Sequence, residues 1–276
     1  MADCHIVAMI PLRVKLKNTE KRDVHPPPIG IAMTNLRLMT YNIHKGIGGI
    51  DRRYQLERII DTVQHYNPDV LFLQEVDEGV PRSRHDRQVD SIGEAIGMAH
   101  RAFQANVKLT QGHYGNAILS RFPLRQTWDI DLTIRLKKRR QALVAKAHVD
   151  IDGHDRVLLL SNVHLGLAGF ERSIQLKRLM ACPPVHNTRQ DTPALIAGDF
   201  NDVWGSLGKR FLLPLGFQNA SGKSRTFPAF RPLRSLDSIY YRGGITMEST
   251  FVGHTALARQ ASDHLPLIAD FKIHNP

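Results

Sequence analysis

The chain is short of cysteine, aromatic residues and long apolar runs, and each shortage closes off a class of function. Its two cysteines, Cys4 and Cys182, stand far apart and no C-x-x-C occurs. That pattern excludes a disulfide framework and a cysteine zinc site, and it suits a reducing cytoplasm. No apolar stretch approaches the roughly 18 residues that span a bilayer. HIVAMIPL, residues 5–12, has no basic lead and no small-residue cleavage site after it, so no signal peptide is expected. The aromatics, 7% of the residues, form no series on which successive bases could stack. Acidic residues are also in deficit: 26 Asp and Glu face 37 Lys and Arg, a formal charge of +11 that attracts polyanions or anionic head groups.

What is present is enough for a large core. With 276 residues, 42% of them hydrophobic, the chain is expected to form one folded domain over 36–276, and a monomer. Residues 1–35 differ in composition. LKNTEKRDVHPPPIG is charged and then proline-rich, as expected of a flexible extension, and Met33 is a candidate natural start. The extension carries only +2 of the net charge, so the excess belongs to the folded part.

From residue 36 the apolar pattern alternates between strand and helix. LRLMTYNI (36–43) and DVLFLQEV (69–76) read as strands. Between them Leu56, Ile59, Ile60 and Val63 fall at helical spacing, stopped at Asn67-Pro68. Val89, Ile92 and Ile96 suggest a second helix. Further strands are expected at 115–120, 142–149, 156–165, 194–200, 235–241 and 265–273. The continuous apolar runs VLFL, VLLL and ALIA imply sheets covered on both faces. The strands between 115 and 165 leave no room for crossover helices and read as antiparallel neighbours. Two packed sheets with helices outside satisfy both conditions.

Polar residues collect at the ends of these strands: Asn42, Glu75, Asn162, His164, Asp199, Asn201, Asp237, Asp263 and His264. Singly, each is an ordinary cap or loop contact. Together they are costly to bury unless a cation or partner neutralises them. A set of Asn, Glu and Asp without cysteine suits Mg2+, with Mn2+ as a substitute, better than zinc. Asp199 and Asn201, two apart, should project to one side of a regular strand. Asp263 and His264 are neighbours, so both can serve one site only from the turn before LPLIADF.

The series TYNIHKG, LQEV, YGNAILSRFPL, SNVHLG, AGDFND, LDSIYY and SDHLPL, in that order over about residues 36–273, resembles the endonuclease/exonuclease/phosphatase superfamily, more narrowly its bacterial metal-dependent hydrolases. The resemblance implies an α/β fold, a four-layer α/β/β/α sandwich of two mixed sheets flanked by helices. It also implies Mg2+-dependent hydrolysis of a phosphate ester. By the same resemblance Glu75 is the principal metal ligand, with Asn42 and Asp263 beside it. His264 is the general base or proton shuttle held by Asp237, and Asp199 aligns the attacking water or a second metal. Asn201 and His164 donate to the nonbridging phosphate oxygens. Arg140, supported by Arg139 and Lys138, is a candidate substrate contact, with a solvated basic loop as the alternative; Asn116 is a weaker one. His44 and Lys45 adjoin the site without an assigned role, and no residue is firmly aligned with the tyrosine of AP endonucleases, although Tyr114 lies near.

Three functions are weighed. The favoured one is a phosphodiesterase acting on nucleic acid, suggested by the basic balance. The same chemistry on a phospholipid or inositol-phosphate head group is the alternative, with Arg82, Arg84 and Arg87 available to an anionic membrane surface. A non-catalytic phosphate-binding module is disfavoured, because no residue of the set is missing.

Overall fold

The computed structural model describes residues 4–6 and 33–274. In chain order the elements are β1 (Cys4–Ile6), β2 (Met33–Asn42), α1 (Leu56–Tyr66), β3 (Val70–Glu78), α2 (Gln88–Ala95), β4 (His100–Lys108), β5 (His113–Ser120), β6 (Leu124–Asp131), β7 (Gln141–Ile151), β8 (His154–His164), α3 (Gly169–Ala181), α4 (Pro183–His186), β9 (Ala194–Asp199), β10 (Gln218–Asn219), β11 (Asp237–Arg242), β12 (Ile245–Val252), α5 (Ala256–Ala261) and β13 (Leu267–His274). One sheet has seven strands in the order β1-β6-β7-β8-β9-β11-β10, and the other has six in the order β12-β13-β2-β3-β5-β4. Both are mixed: β2 and β3 run parallel, as do β8 and β9, and the remaining pairs are antiparallel.

Side-chain alternation builds the layers. Leu36 and Leu38 of β2 and Val70 and Phe72 of β3 meet Leu143, Leu160 and Leu195 of the other sheet in a central core. Their neighbours Met39, Tyr41, Leu71 and Leu73 point outward onto Leu56, Ile59 and Val63 of α1 and Val89 and Ile92 of α2. On the far side Val144, Leu159, Val163 and Ile196 take up Leu176 and Leu179 of α3. The inner strands β2, β3, β8 and β9 are therefore apolar at consecutive positions because both of their faces are buried. The result is the expected sandwich of two mixed sheets flanked by helices.

The expected helix ends hold physically. Asn67 closes α1 in the left-handed conformation (φ 50°), its N–H bonded to Val63 O, and Pro68 follows. The second helix ends at Ala95, so Ile96 caps it rather than extending it. The run of antiparallel neighbours between 115 and 165 needs correction: β6, β7 and β8 form such a meander, but β5 belongs to the other sheet. Within the N-terminal stretch expected to be an extension, Cys4–Ile6 pairs antiparallel with β6 and residues 33–35 open β2. Residues 7–32 lie outside the described residues. No helix among the described residues is long and apolar enough to cross a membrane.

Candidate active site

One end of the sandwich gathers the strand-terminal polar residues, and pairing register does most of the placing. In the seven-stranded sheet His164 stands opposite Asp199 across the parallel β8/β9 pair, and Asp237 stands opposite Asp199 across β9/β11. Asp199 thus sits between a histidine and a second carboxylate. From the six-stranded sheet, Asn42 ends β2 opposite Gln74. Asp263 and His264 occupy the turn between α5 and β13, the placement their adjacency requires.

These groups converge on one oxygen. Asn42 Nδ2 donates to Asp199 Oδ2 at 3.2 Å, and the Nε2 atoms of His164 and His264 lie 3.6 and 3.9 Å from it. Asp199 Oδ1 accepts the Asn201 N–H at 2.9 Å. His264 is held from behind, its Nδ1 2.8 Å from Asp237 Oδ2, an oxygen that also accepts the Thr226 hydroxyl. The Ser262 hydroxyl accepts the His264 N–H and donates to Asn42 O, tying the turn to the end of β2. All four of Asn42, His164, Asp199 and Asp237 are buried.

The two imidazoles are pushed apart electrostatically. Burial opposes charge on His264, but the carboxylates of Asp237, Asp199 and Asp263 outweigh it and raise its pKa to about 10. Burial and the Arg140 guanidinium bring His164 down to about 4, against the pull of Asp199 and Glu75. Burial pushes the Asp199 carboxyl upward, against the pull of the two histidines.

Glu75 reaches the site through a backbone irregularity. The β3/β5 register shifts between Leu73 and Val76, and Glu75 sits in that bulge at φ 58°. A bulge re-aims a side chain that a regular strand would direct elsewhere. A non-glycine residue held there stores strain of the kind that collects at functional sites. Its carboxylate is paired with the Lys45 ammonium. Burial works against the charge, but His164 when protonated, Lys45 and His44 outweigh it and hold Glu75 at about 2. Tyr114 lies alongside, its hydroxyl pushed up by burial and by Glu75, and its ring carries Lys45 and Arg82 at 5.5 and 5.7 Å. Arg140 is buried with its Nε unpaired, a donor available to an anion.

Several expected placements differ. Asn201 lies beyond the end of β9 at φ 50°, so the two-residue alternation does not apply. Its backbone bonds Asp199, and one proton of its amide is engaged by Leu165 O. Asn116 is buried, with its amide nitrogen bonded to Gln104 Oε1 of its own sheet and Gln141 O of the other. Arg139 is exposed while Arg140 turns inward. Arg82 and Arg87 are paired with Asp77 and with Glu78 and Asp90, so neither is a free lipid contact. Asn162 joins the sheets under the site, accepting from Gln74 and donating to Leu73 O and Ala117 O. Asp263 Oδ1 lies 4.0 Å from His44 Nδ1. Lys45, Tyr114 and Thr226 are the contributors that strand-end reading passes over. A basic residue just past TYNI and a tyrosine at the start of β5 were the available signals for the first two.

Comparison with known proteins agrees with the fold. The chain is 29% identical over 255 residues to the YbhP protein of Escherichia coli strain K12, covering 87% of this chain and 97% of YbhP. Its fold is similar to an endonuclease/exonuclease/phosphatase from Beutenbergia cavernae (TM-score 0.70, 20% identity, 87% of this chain and 72% of the other). It is also similar to ANGEL2, a 2',3'-cyclic phosphatase (TM-score 0.68, 17% identity, 87% and 96%). Residues 39–264 match the Endonuclease/Exonuclease/phosphatase family, and the chain belongs to that family.

Proposed function

We propose that the protein hydrolyses phosphate diesters with the help of a divalent cation, Mg2+ or Mn2+. The observation that carries this reading is the convergence of Asn42, His164 and His264 on Asp199 Oδ2, with Asp237 fixing His264 from behind. The residues present fit the ion. Among the described residues no three His, Cys, Asp or Glu side chains form a metal cage. Mg2+ does not need one, since it keeps several waters and is held by one or two carboxylates with substrate oxygens. Glu75, with its carboxylate already facing a cationic group, would be the main ligand, joined by the oxygens of Asn42 and Asp263. When bound, the ion would supply Lewis acidity at the phosphate and the leaving oxygen.

The chain's own groups do the rest. Asp199 Oδ2 orients the attacking water in line with the leaving group. His264 moves a proton at Nε2, because Asp237 engages Nδ1 and fixes the ring. Neutral His164, the remaining amide proton of Asn201, the Tyr114 hydroxyl and the Arg140 Nε are donors for the nonbridging oxygens as charge builds there. ANGEL2, which shares the fold, is a 2',3'-cyclic phosphatase, and phosphoester cleavage on this scaffold is in keeping with that. The net positive charge supports an anionic substrate, nucleic acid or anionic lipid alike. The test is hydrolysis of bis-p-nitrophenyl phosphate, plasmid DNA, RNA and labelled phospholipids with Mg2+ or Mn2+. Activity that requires the added cation and disappears in Glu75→Ala and His264→Ala supports the reading. Undiminished activity in both variants overturns it.

A further inference from the structure

The segments that leave the active-site end of the sheets carry most of the large apolar side chains that stand in solvent. Ile50 follows the Gly48–Gly49 turn, in which Gly49 packs against Asp263. Leu136, 95% exposed, lies on the segment that delivers Arg140, and Leu167 follows His164. Trp204, 86% exposed, comes just after Asn201. Phe230 and Leu233 lie between Thr226 and Asp237. The turns at the opposite end of the sandwich, 67–69, 121–123, 152–153 and 243–244, hold no exposed large apolar side chain. Ile174, Leu213 and Leu215 are exposed elsewhere, but less so than the rim residues Leu136, Leu167, Trp204, Phe230 and Leu233, and large exposed apolar sets mark contact surfaces.

The same segments are basic. Residues 132–140 contain five Lys and Arg and residues 221–236 contain four, with no Asp or Glu in either. Arg135, Lys138, Arg139, Arg225, Arg231 and Arg234 are exposed, and none is in an ion pair among the described residues. The rim sets the aliphatic Ile50, Leu136, Leu167 and Leu233 beside the aromatic Trp204 and Phe230. A stacking surface for bases uses the aromatics alone and gains nothing from the four aliphatic tips. Aliphatic tips mixed with a tryptophan and a phenylalanine, set in a field of cations, match the boundary between acyl chains and anionic head groups.

We propose that the active-site end docks on an anionic lipid bilayer, so that the phosphate ester it cleaves is presented in that surface. The docking is read from the rim alone; the identity of the cleaved bond rests on the hydrolase function proposed above. The chain order suits this: the basic segment 132–140 ends at Arg140 and the basic segment 221–236 leads into Asp237, so a docked rim would bring head-group phosphates towards the site.

The test is flotation of the full-length protein with phosphatidylcholine vesicles, with and without phosphatidylglycerol, at about 0.1 M salt, where exposed charges still act over roughly 10 Å. Partition to the anionic vesicles is expected to exceed that to neutral ones at least tenfold, since each surface cation contributes about fivefold. Leu136→Asp with Leu233→Asp, and separately Arg231→Gln with Arg234→Gln, should each reduce it by roughly tenfold or more. Thermal unfolding checks that these surface variants are folded. Trp204 emission should shift to the blue on vesicle addition, and Trp204→Phe should abolish the shift. Equal or absent partition to the two vesicles overturns the proposal, as does wild-type binding by the aspartate variant. Duplex DNA that displaces the vesicles would make the rim a nucleic-acid face, and a stable dimer dissociated by Leu136→Asp would make it an interface between copies; either result also overturns it. Hydrolysis of soluble bis-p-nitrophenyl phosphate is measured separately. Its absence removes the hydrolase reading and leaves the flotation result standing, while failed flotation with hydrolysis intact removes only the docking.

Discussion

The two ends of the sandwich are built from the same strands but follow different rules. At the outer end connections are short and their charges are matched: Asp152-Gly153 joins β7 to β8 in two residues, and Arg37 is bonded to Asp270, Tyr66 O and the Asp69 network. At the active-site end the connections are long, Glu75 is turned by a bulge, and Asn42, His164, Asp199, Asp237 and His264 are buried against one another, with Arg140 Nε and Asp237 Oδ1 lacking partners. Positive φ is not what separates them, since Asn67 and Asp152 adopt it in outer-end turns. What separates them is that only one end brings buried carboxylates and imidazoles together, a set a ligand would relieve and where functional sites give up stability.

The sharpest way to test that division is to remove the chemistry. His264→Ala should lower turnover of a diester by roughly 10³-fold, within the range for a positioned proton-transfer group, while the circular dichroism spectrum stays that of the wild type. Asp237→Asn should reduce turnover less, because the ring keeps its place but loses the carboxylate that fixes its orientation. If Asp237→Asn proved as damaging as His264→Ala, Asp237 would have a part in the reaction beyond positioning.

Much of this site was legible because strand ends are legible. A buried strand reads as an apolar run, and a polar residue where it stops is visible without knowing the fold; Asn42, Glu75, His164, Asp199 and Asp237 were found that way. What escaped depends on backbone geometry or on long-range packing. The bulge that turns Glu75 inward, the left-handed Asn201 and the cross-sheet contacts of Asn116 leave no local pattern. Likewise β4 was hidden because, as a sheet-edge strand with mostly half-buried positions, it lacks a clean alternation, and α3 because it buries Glu171 and Gln175 beside only two leucines. Gly198 is set by packing of the same long-range kind: at φ 143° its missing side chain makes room for the backbone of β8, since a Cβ would lie 1.9 Å from Val163 O.

That glycine and one at the outer end separate two costs. Gly198→Ala combines a disallowed conformation with a backbone clash and should destabilise the protein by about 3 kcal/mol or more, through the β8/β9 pairing that places His164 opposite Asp199. Gly153→Ala has only the first cost. Its φ is 80°, in a turn where Asp152 is also at positive φ, and a Cβ there meets nothing within 4 Å. About 1 kcal/mol is expected. Urea unfolding of both variants checks the pair, and equal losses would mean that the Val163 contact relaxes freely.

The smallest effect belongs to the Arg37–Asp270 pair. Asp270 accepts from Arg37 Nε at 2.6 Å, Arg37 Nη2 at 3.0 Å and Ser249 Oγ at 2.9 Å, and the Arg37 bonds chiefly hold its carboxyl below the usual carboxylate range. A carboxyl whose folded pKa is depressed adds stability above its unfolded value of roughly 3.9, and loses it as pH falls through the folded value. Much of the pair is in contact with solvent, so Asp270→Asn should cost less than about 1 kcal/mol near pH 7. The gap between the variant and the wild type should narrow as pH falls below about 4. Diester hydrolysis should be unchanged, since the pair lies on the six-stranded sheet away from Asp199 and His264. Urea unfolding at neutral and acid pH decides: a gap that persists at low pH would assign the effect to packing of the Arg37 stem rather than to the carboxylate charge.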